Sequence, residues 1–202
     1  MVHDADTLRE SPSQTAGPYV HIGCTPNVCG ITGLFAEDLG ARMKTGPVQG
    51  REIVITGAVH DGMGAALTDA LVEVWQADAN GRFAGHHADA DPHFTGFGRC
   101  ASDMATGAFR FETVKPGRVP WTDGRLQAPH ISVWIVARGI NTGLQTRIYF
   151  DDEPQANAAD PILSRLEHRM RVPTLIAVGQ GDGTYRFDIH LQGPQETVFF
   201  DI

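Results

Sequence analysis

The chain has no continuous apolar stretch near the roughly 20 residues that a helix needs to cross a bilayer, and it has no run of lysine or arginine. Its 16 Lys and Arg are outnumbered by 24 Asp and Glu, giving a formal net charge of -8. The first lack argues against a helical membrane span. The second argues against nucleic acid, whose phosphates need a positive surface. The opening segment, Met1 to Gln14, is polar and acidic, unlike a secretion signal with its basic start and apolar middle, so a cytoplasmic protein is expected. Cysteine is scarce: Cys24, Cys29 and Cys100 are odd in number and none stands in a C-x-x-C pair. Reduced structural thiols are expected over a metal or redox role.

What the chain does have is glycine and proline, 23 and 12 in 202 residues, spread among short apolar runs. That distribution predicts a β-rich fold with many turns over a helical bundle. A hydrophobic content of 42% is enough for one full core. The expected organisation is an N-terminal arm over residues 1–14, ordered only by contact with something else, and a single domain over residues 15–202.

In chain order, Gly17-Pro18 fixes a bend, and residues 24–50 read as a long loop with at most a short helix near Leu34–Met43. Ile53–His60 and Ala70–Ala77 read as strands, the first closed by a turn at Asp61–Gly64 and the second by one at Asp78–Gly81. D-G and N-G turns between apolar runs are hairpin signals, and Trp75 is expected inside the core. Gly98–Asp103 is expected to pair with Ala108–Val114 through Met104–Gly107. The loop Gly85–Phe94 gathers His86, His87, Asp89, Asp91 and His93. Imidazoles with carboxylates suit Fe, Zn or Mn, and a solvated polar loop is the plainer alternative. Leu144–Phe150 is a further strand. Asp160-Pro161 opens a short helix carrying Ile162, Leu163 and Leu166, because Asp caps and Pro suits the first helical position. Thr174–Val178 and Tyr185–Leu191 form a hairpin in which Tyr185, Phe187, Ile189 and Leu191 face inward, with His190 on the solvent or interface side. The end, Thr197 to Ile202, is apolar and expected to pack against its own sheet or a partner.

The chain is organised around Glu112–Gly139: a strand ending at Thr113-Val114, a tight turn at Lys115-Pro116-Gly117, a loop through Val119-Pro120-Trp121, and a long strand from Pro129 to Arg138. Alternation puts Ile131, Val133, Ile135 and Ala137 on one face and His130, Ser132, Trp134, Val136 and Arg138 on the other. His130 and Arg138 are separated by about 26 Å of extended strand, too far to serve one small pocket.

The segments T-V-K-P-G-x-x-P-W and A-P-H-I-S resemble the metal-site region of the intradiol ring-cleaving dioxygenases. The blocks S-Q-T-A-G-P-Y, E-V-W-Q-A-D-A-N-G, A-R-G-I-N, R-I-Y-F-D-D-E and E-T-V-F-F-D carry the likeness from about Ser11 to Ile202. It implies an all-β fold, a β-sandwich of the intradiol dioxygenase type with long loops and one or two short helices. Members of that family hold Fe(III) with two tyrosinates and two histidines, hard anionic phenolates suiting a ferric ion. Here the tyrosine positions fall at Val119 and near His86, and the histidine positions at His130 and Ser132. The resemblance thus implies degenerate metal positions at His86, Val119, His130 and Ser132, and no iron held by this chain.

By the same resemblance, the chain is expected to be the non-iron subunit of a heteromeric dioxygenase. Fe(III) would sit in a homologous beta subunit, in a higher-order hetero-oligomer acting on a small aromatic acid. Thr15, Gly17, Pro18, Tyr19 and Arg138 would line the partner's substrate cleft, the guanidinium being suited to a ring carboxylate. Two alternatives stay open at this point: a reduced metal site built from His130 with His86 or His87, and a β-sandwich binding or scaffold module with no enzymatic partner. A strand-end surface role is the plain alternative for Arg138.

Overall fold

The computed structural model describes residues 14–201. Its strands are β1 (Glu52–His60), β2 (Leu71–Trp75), β3 (Phe97–Ala101), β4 (Ala108–Val114), β5 (Ile131–Val136), β6 (Leu144–Phe150), β7 (Ile176–Gly181), β8 (Thr184–Arg186) and β9 (Ile189–His190). Two short α-helices, α1 (Pro18–Cys24) and α2 (Pro154–Ala158), and 3-10 turns at Leu163–Arg165 and Arg169–Leu175 complete the described elements. The expected all-β sandwich is what forms.

Strand order runs β3-β2-β5-β6-β7-β8-β1-β4, with β9 also on β1. The first four strands pair antiparallel. A short parallel contact, Tyr149 with Ile176 and Phe150 with Ala177, joins them to the second half. Val72, Val74, Val133 and Ile135 from one half share a core with Ile55, Phe109, Phe111, Tyr185 and Phe187 from the other. The two halves therefore bury one another's apolar faces, which is why the sheet folds over on itself.

The alternation predicted for β5 holds: Ile131, Val133, Ile135 and Ala137 are buried, although the strand itself spans only Ile131–Val136. The inward set Tyr185, Phe187 and Ile189 is also found, and the β7–β8 hairpin forms around Asp182 and Gly183. Asp160 caps as expected, its Oδ1 accepting from the Ile162 and Leu163 N–H groups at 2.8 Å each, but the turn it opens is 3-10. The C-terminal residues pack on their own sheet, with Thr197 buried and Phe200 N–H donating to Gln145 O at 2.8 Å.

Several expectations are corrected. The Asp61–Gly64 turn does not make a β1–β2 hairpin: β1 pairs β4, β8 and β9, while β2 pairs β3 and β5. Likewise β3 and β4 do not pair. The tight Asp103–Gly107 turn, closed by Gly107 N–H to Asp103 O at 2.7 Å, carries the chain from one half of the sandwich to the other. A turn signal fixes a local reversal, and pairing goes to whichever strands share a core face. No helix forms at Leu34–Met43; it forms at Pro18–Cys24, where Pro18 takes the first helical position and needs no N–H partner. No turn is formed at Lys115–Gly117, where the Gly117 N–H donates to Asp78 O at 2.8 Å.

Trp75 is not core. It is 37% exposed on the outer sheet face and stacks on Phe83 at 6.0 Å. Its neighbour Gln76 is the buried one, donating to Val114 O at 2.9 Å and accepting from Thr113 Oγ1 at 2.8 Å, so that the end of β2 is tied to the end of β4. The arm predicted at residues 1–14 lies almost wholly outside the described residues.

Candidate functional site

Two regions carry the predicted site residues, and they lie at opposite ends of β5. At the C-terminal end, Ala137 and Arg138 run into the Gly139–Gly143 turn. The segment Gln14–Thr15 lies beside that turn. Thr142 N–H donates to Gln14 O at 2.8 Å, Gln14 N–H donates to Asn141 Oδ1 at 2.9 Å, and Thr15 and Asn141 form a β-bridge. The Thr15 hydroxyl accepts from Gly139 N–H at 2.9 Å and donates to Ala137 O at 3.4 Å, gripping the backbone on both sides of Arg138. The chain then enters α1, and the space between α1, the Thr68-Asp69 turn and Arg138 is a cleft of about 490 Å³.

Gly17, Pro18, His21, Asp69 and Arg138 line this cleft, with Ile22, Val28 and Met104 as an apolar wall. Four of the five residues predicted for the partner's cleft thus gather here: Gly17, Pro18 and Arg138 on its wall, and Thr15 behind Arg138. Tyr19 does not line the cleft; it is 84% exposed on α1. Arg138 forms an ion pair with Asp69, and His21 Nε2–H donates to the Asp69 carbonyl at 2.9 Å. Neither Asp69 nor His21 was singled out from sequence, since each comes to Arg138 only through the fold.

At the other end, His130 is buried, although alternation sets it on the face opposite Ile131 and Val133. Its Nδ1–H donates to Ala128 O at 2.8 Å, and its ring lies 5.8 Å from that of Tyr149. Burial first, then the Arg147 guanidinium, hold its pKa down to about 4. Burial likewise pushes the Tyr149 phenol well above its usual range, and its hydroxyl donates to Asp160 Oδ1 at 3.3 Å. Arg147 stands directly opposite Ser132 in the β5–β6 ladder and donates to Gln127 Oε1 at 2.8 Å.

This region does not fit a ferric ion. Val119 is buried and offers no donor. Ser132 offers a neutral hydroxyl beside a guanidinium, and His130 keeps one free ring nitrogen. His86 is exposed on a separate loop. There Asp91 accepts from Gln49 and His93 N–H groups at 2.7 and 2.9 Å, and His87 Nδ1 accepts from Phe83 N–H at 3.1 Å. The His93 and Phe83 bonds are local turn bonds, and the Gln49 bond ties the loop to the segment before β1. Among the described residues no group of three or more His, Cys, Asp or Glu is placed to hold a metal.

A sequence model of the family described as Dioxygenase matches residues 32–193. The chain belongs to this family, the intradiol ring-cleaving dioxygenases, whose members are iron-dependent oxidoreductases. Within it, the chain is 45% identical to the protocatechuate 3,4-dioxygenase alpha chain of Pseudomonas putida, over 97% of this chain and 98% of that relative. It is 42% identical to the alpha chain of the Burkholderia cepacia enzyme, over 97% and 99%. Identity to the Burkholderia cepacia beta chain is 38%, over 80% of this chain and 77% of the relative. Among solved structures, 3-chlorocatechol 1,2-dioxygenase from Rhodococcus opacus 1CP superposes with a TM-score of 0.61 at 20% identity, over 76% of this chain and 64% of that one. That similarity speaks to the fold. Among the described residues no helix is long and apolar enough to cross a membrane.

Proposed function

We propose that this chain works as the alpha, iron-free subunit of a cytoplasmic protocatechuate 3,4-dioxygenase, as a single domain over residues 15–202 preceded by an arm. A homologous beta subunit holds Fe(III), and the two associate in a larger hetero-oligomer. The assembled enzyme joins protocatechuate and O2 to give 3-carboxy-cis,cis-muconate. The observation that carries the reading is the contrast between the two ends of β5: the metal-site end has no ferric donor set, while the other end presents Arg138 in a cleft.

In this reading the cleft lies at the mouth of the partner's active site. Arg138 binds the ring carboxylate of the substrate, and Thr15, Gly17 and Pro18 shape the approach. Tyr19 projects from the same helix toward the partner. A guanidinium is suited to this task because its planar fork matches a carboxylate and stays charged. It also offsets, locally, the repulsion an anionic substrate meets from a chain of net charge -8.

The test is iron content and protocatechuate-dependent O2 uptake for the chain purified alone and together with its beta partner. Iron and uptake are expected only with the partner; iron and turnover in the isolated chain would overturn the assignment. In the assembled enzyme, Arg138→Ala is expected to raise KM roughly tenfold to a hundredfold, the worth of a hydrogen-bonded charge pair, with iron content unchanged.

A further inference from the structure

Arg138 is 75% exposed at its side chain, whereas its partner Asp69 is only 29% exposed. An exposed arginine ordinarily samples many rotamers, and an exposed ion pair adds little stability. The arrangement around this one is nevertheless built from several directions. Thr15 holds the backbone at Ala137 and Gly139. Asp69 takes the guanidinium by its Nε–H. His21, from the last turn of α1, holds the carbonyl of Asp69. The carboxylate engages Nε, no hydrogen bond from Nη1 or Nη2 of Arg138 is made among the described residues, and Arg138 lines the cleft.

We propose that Asp69 is a positioning residue: it fixes the Arg138 side chain through Nε so that the terminal Nη1–Nη2 edge is presented to the carboxylate of an aromatic acid. The proposal rests on the reading of Arg138 given above. Asp69 acts through Arg138 and does not touch substrate. Removing it frees the guanidinium to rotate, so substrate capture suffers while the chemical step at the partner's iron does not. Asp69 is itself an anion near an anionic substrate, so a residue with no positioning role would, when neutralised, improve binding. The two roles thus move KM in opposite directions.

The experiment is a double-mutant cycle in the assembled alpha–beta enzyme, with KM and kcat for protocatechuate and iron content measured for Asp69→Ala, Arg138→Ala and the pair. Asp69→Asn is included as a variant that keeps the turn and a hydrogen-bond acceptor. Positioning predicts that Asp69→Ala raises KM by up to about fivefold, the ceiling for an exposed ion pair, with kcat and iron retained. It also predicts that Asp69→Asn falls between Asp69→Ala and the parent enzyme. In the Arg138→Ala background, Asp69→Ala then adds nothing further. An unchanged or lowered KM in both Asp69 variants, or an equal rise with and without Arg138, overturns the inference and leaves the Arg138 reading standing. An unchanged KM in Arg138→Ala overturns both.

Discussion

His130 shows at residue scale what burial does to an imidazole. Buried and facing Arg147, it stays neutral down to about pH 4 in the folded chain, whereas in the unfolded chain it protonates near 6.5. Between these values the unfolded state binds more protons, so stability rises with pH. The folded state is favoured in full above about pH 6.5 and loses, on the order of 3 kcal/mol, as pH falls toward 4. Urea unfolding at several pH values across this window should show a shallower acid loss for His130→Asn, which keeps an N–H donor toward Ala128 O. Equal pH slopes in the two proteins would place the acid sensitivity elsewhere. Individual positions were unevenly legible in the sequence. Val119 and Ser132 could be read as lacking a phenolate or imidazole donor directly from their side chains, and the fold leaves that reading unchanged. Trp75 was misplaced, since aromatic bulk favours burial on average but strand parity put Gln76, not Trp75, among the buried residues. Asp69 left no trace, because 69 positions separate it from Arg138 and a turn aspartate has many ordinary uses.

Among the elements, β1 shows where local rules stop. Its Gly57 reads as a weak point in a strand, yet a Cβ there would lie 1.8 Å from Phe187 O. Phe187 falls between β8 and β9, and its N–H donates to Thr56 O at 2.8 Å while Asp188 Oδ1 accepts from Ala58 N–H at 3.0 Å. The glycine lets the interrupted C-terminal strand cross close to β1. Gly57→Ala is therefore expected to destabilise by roughly 1–3 kcal/mol, the usual cost of forcing extra volume into a packed site, read as a lower urea midpoint. A neutral substitution would mean that the crossing is loose. Strand existence was legible throughout because apolar alternation is a local signal. Strand partnership was not, and both misread hairpins come from that gap. Asp61–Gly64 and Met104–Gly107 reverse the chain as turn residues should, but each hands it to the opposite half of the sandwich.

For the whole molecule, the C-terminal segment links two apolar clusters. Phe199 packs against the main core, while Val198 and Phe200 pack against the smaller cluster of Ala128, Tyr149, Leu163 and Leu175. Thr146 Oγ1 donates to Val198 O at 2.7 Å, and Thr197 Oγ1 accepts from His190 N–H at 2.9 Å. Deleting residues 197–202 should lower Tm on the order of 10 °C, from the apolar area lost and the unfolding entropy of a domain this size. A Tm within a degree or two of the full chain would show that the segment serves association instead.

The guanidinium of Arg147 across from Ser132 bears on how such a chain could change over generations. A histidine introduced at position 132 would meet a resident cation before it met any metal, and a tyrosine introduced at position 119, where Val119 is buried, would have to enter space already closed. Neither substitution by itself would supply a ferric donor set. The Arg147–Gln127 pair therefore works as an evolutionary ratchet: as long as it stands, a metal ligand set at this end of β5 needs several changes at once.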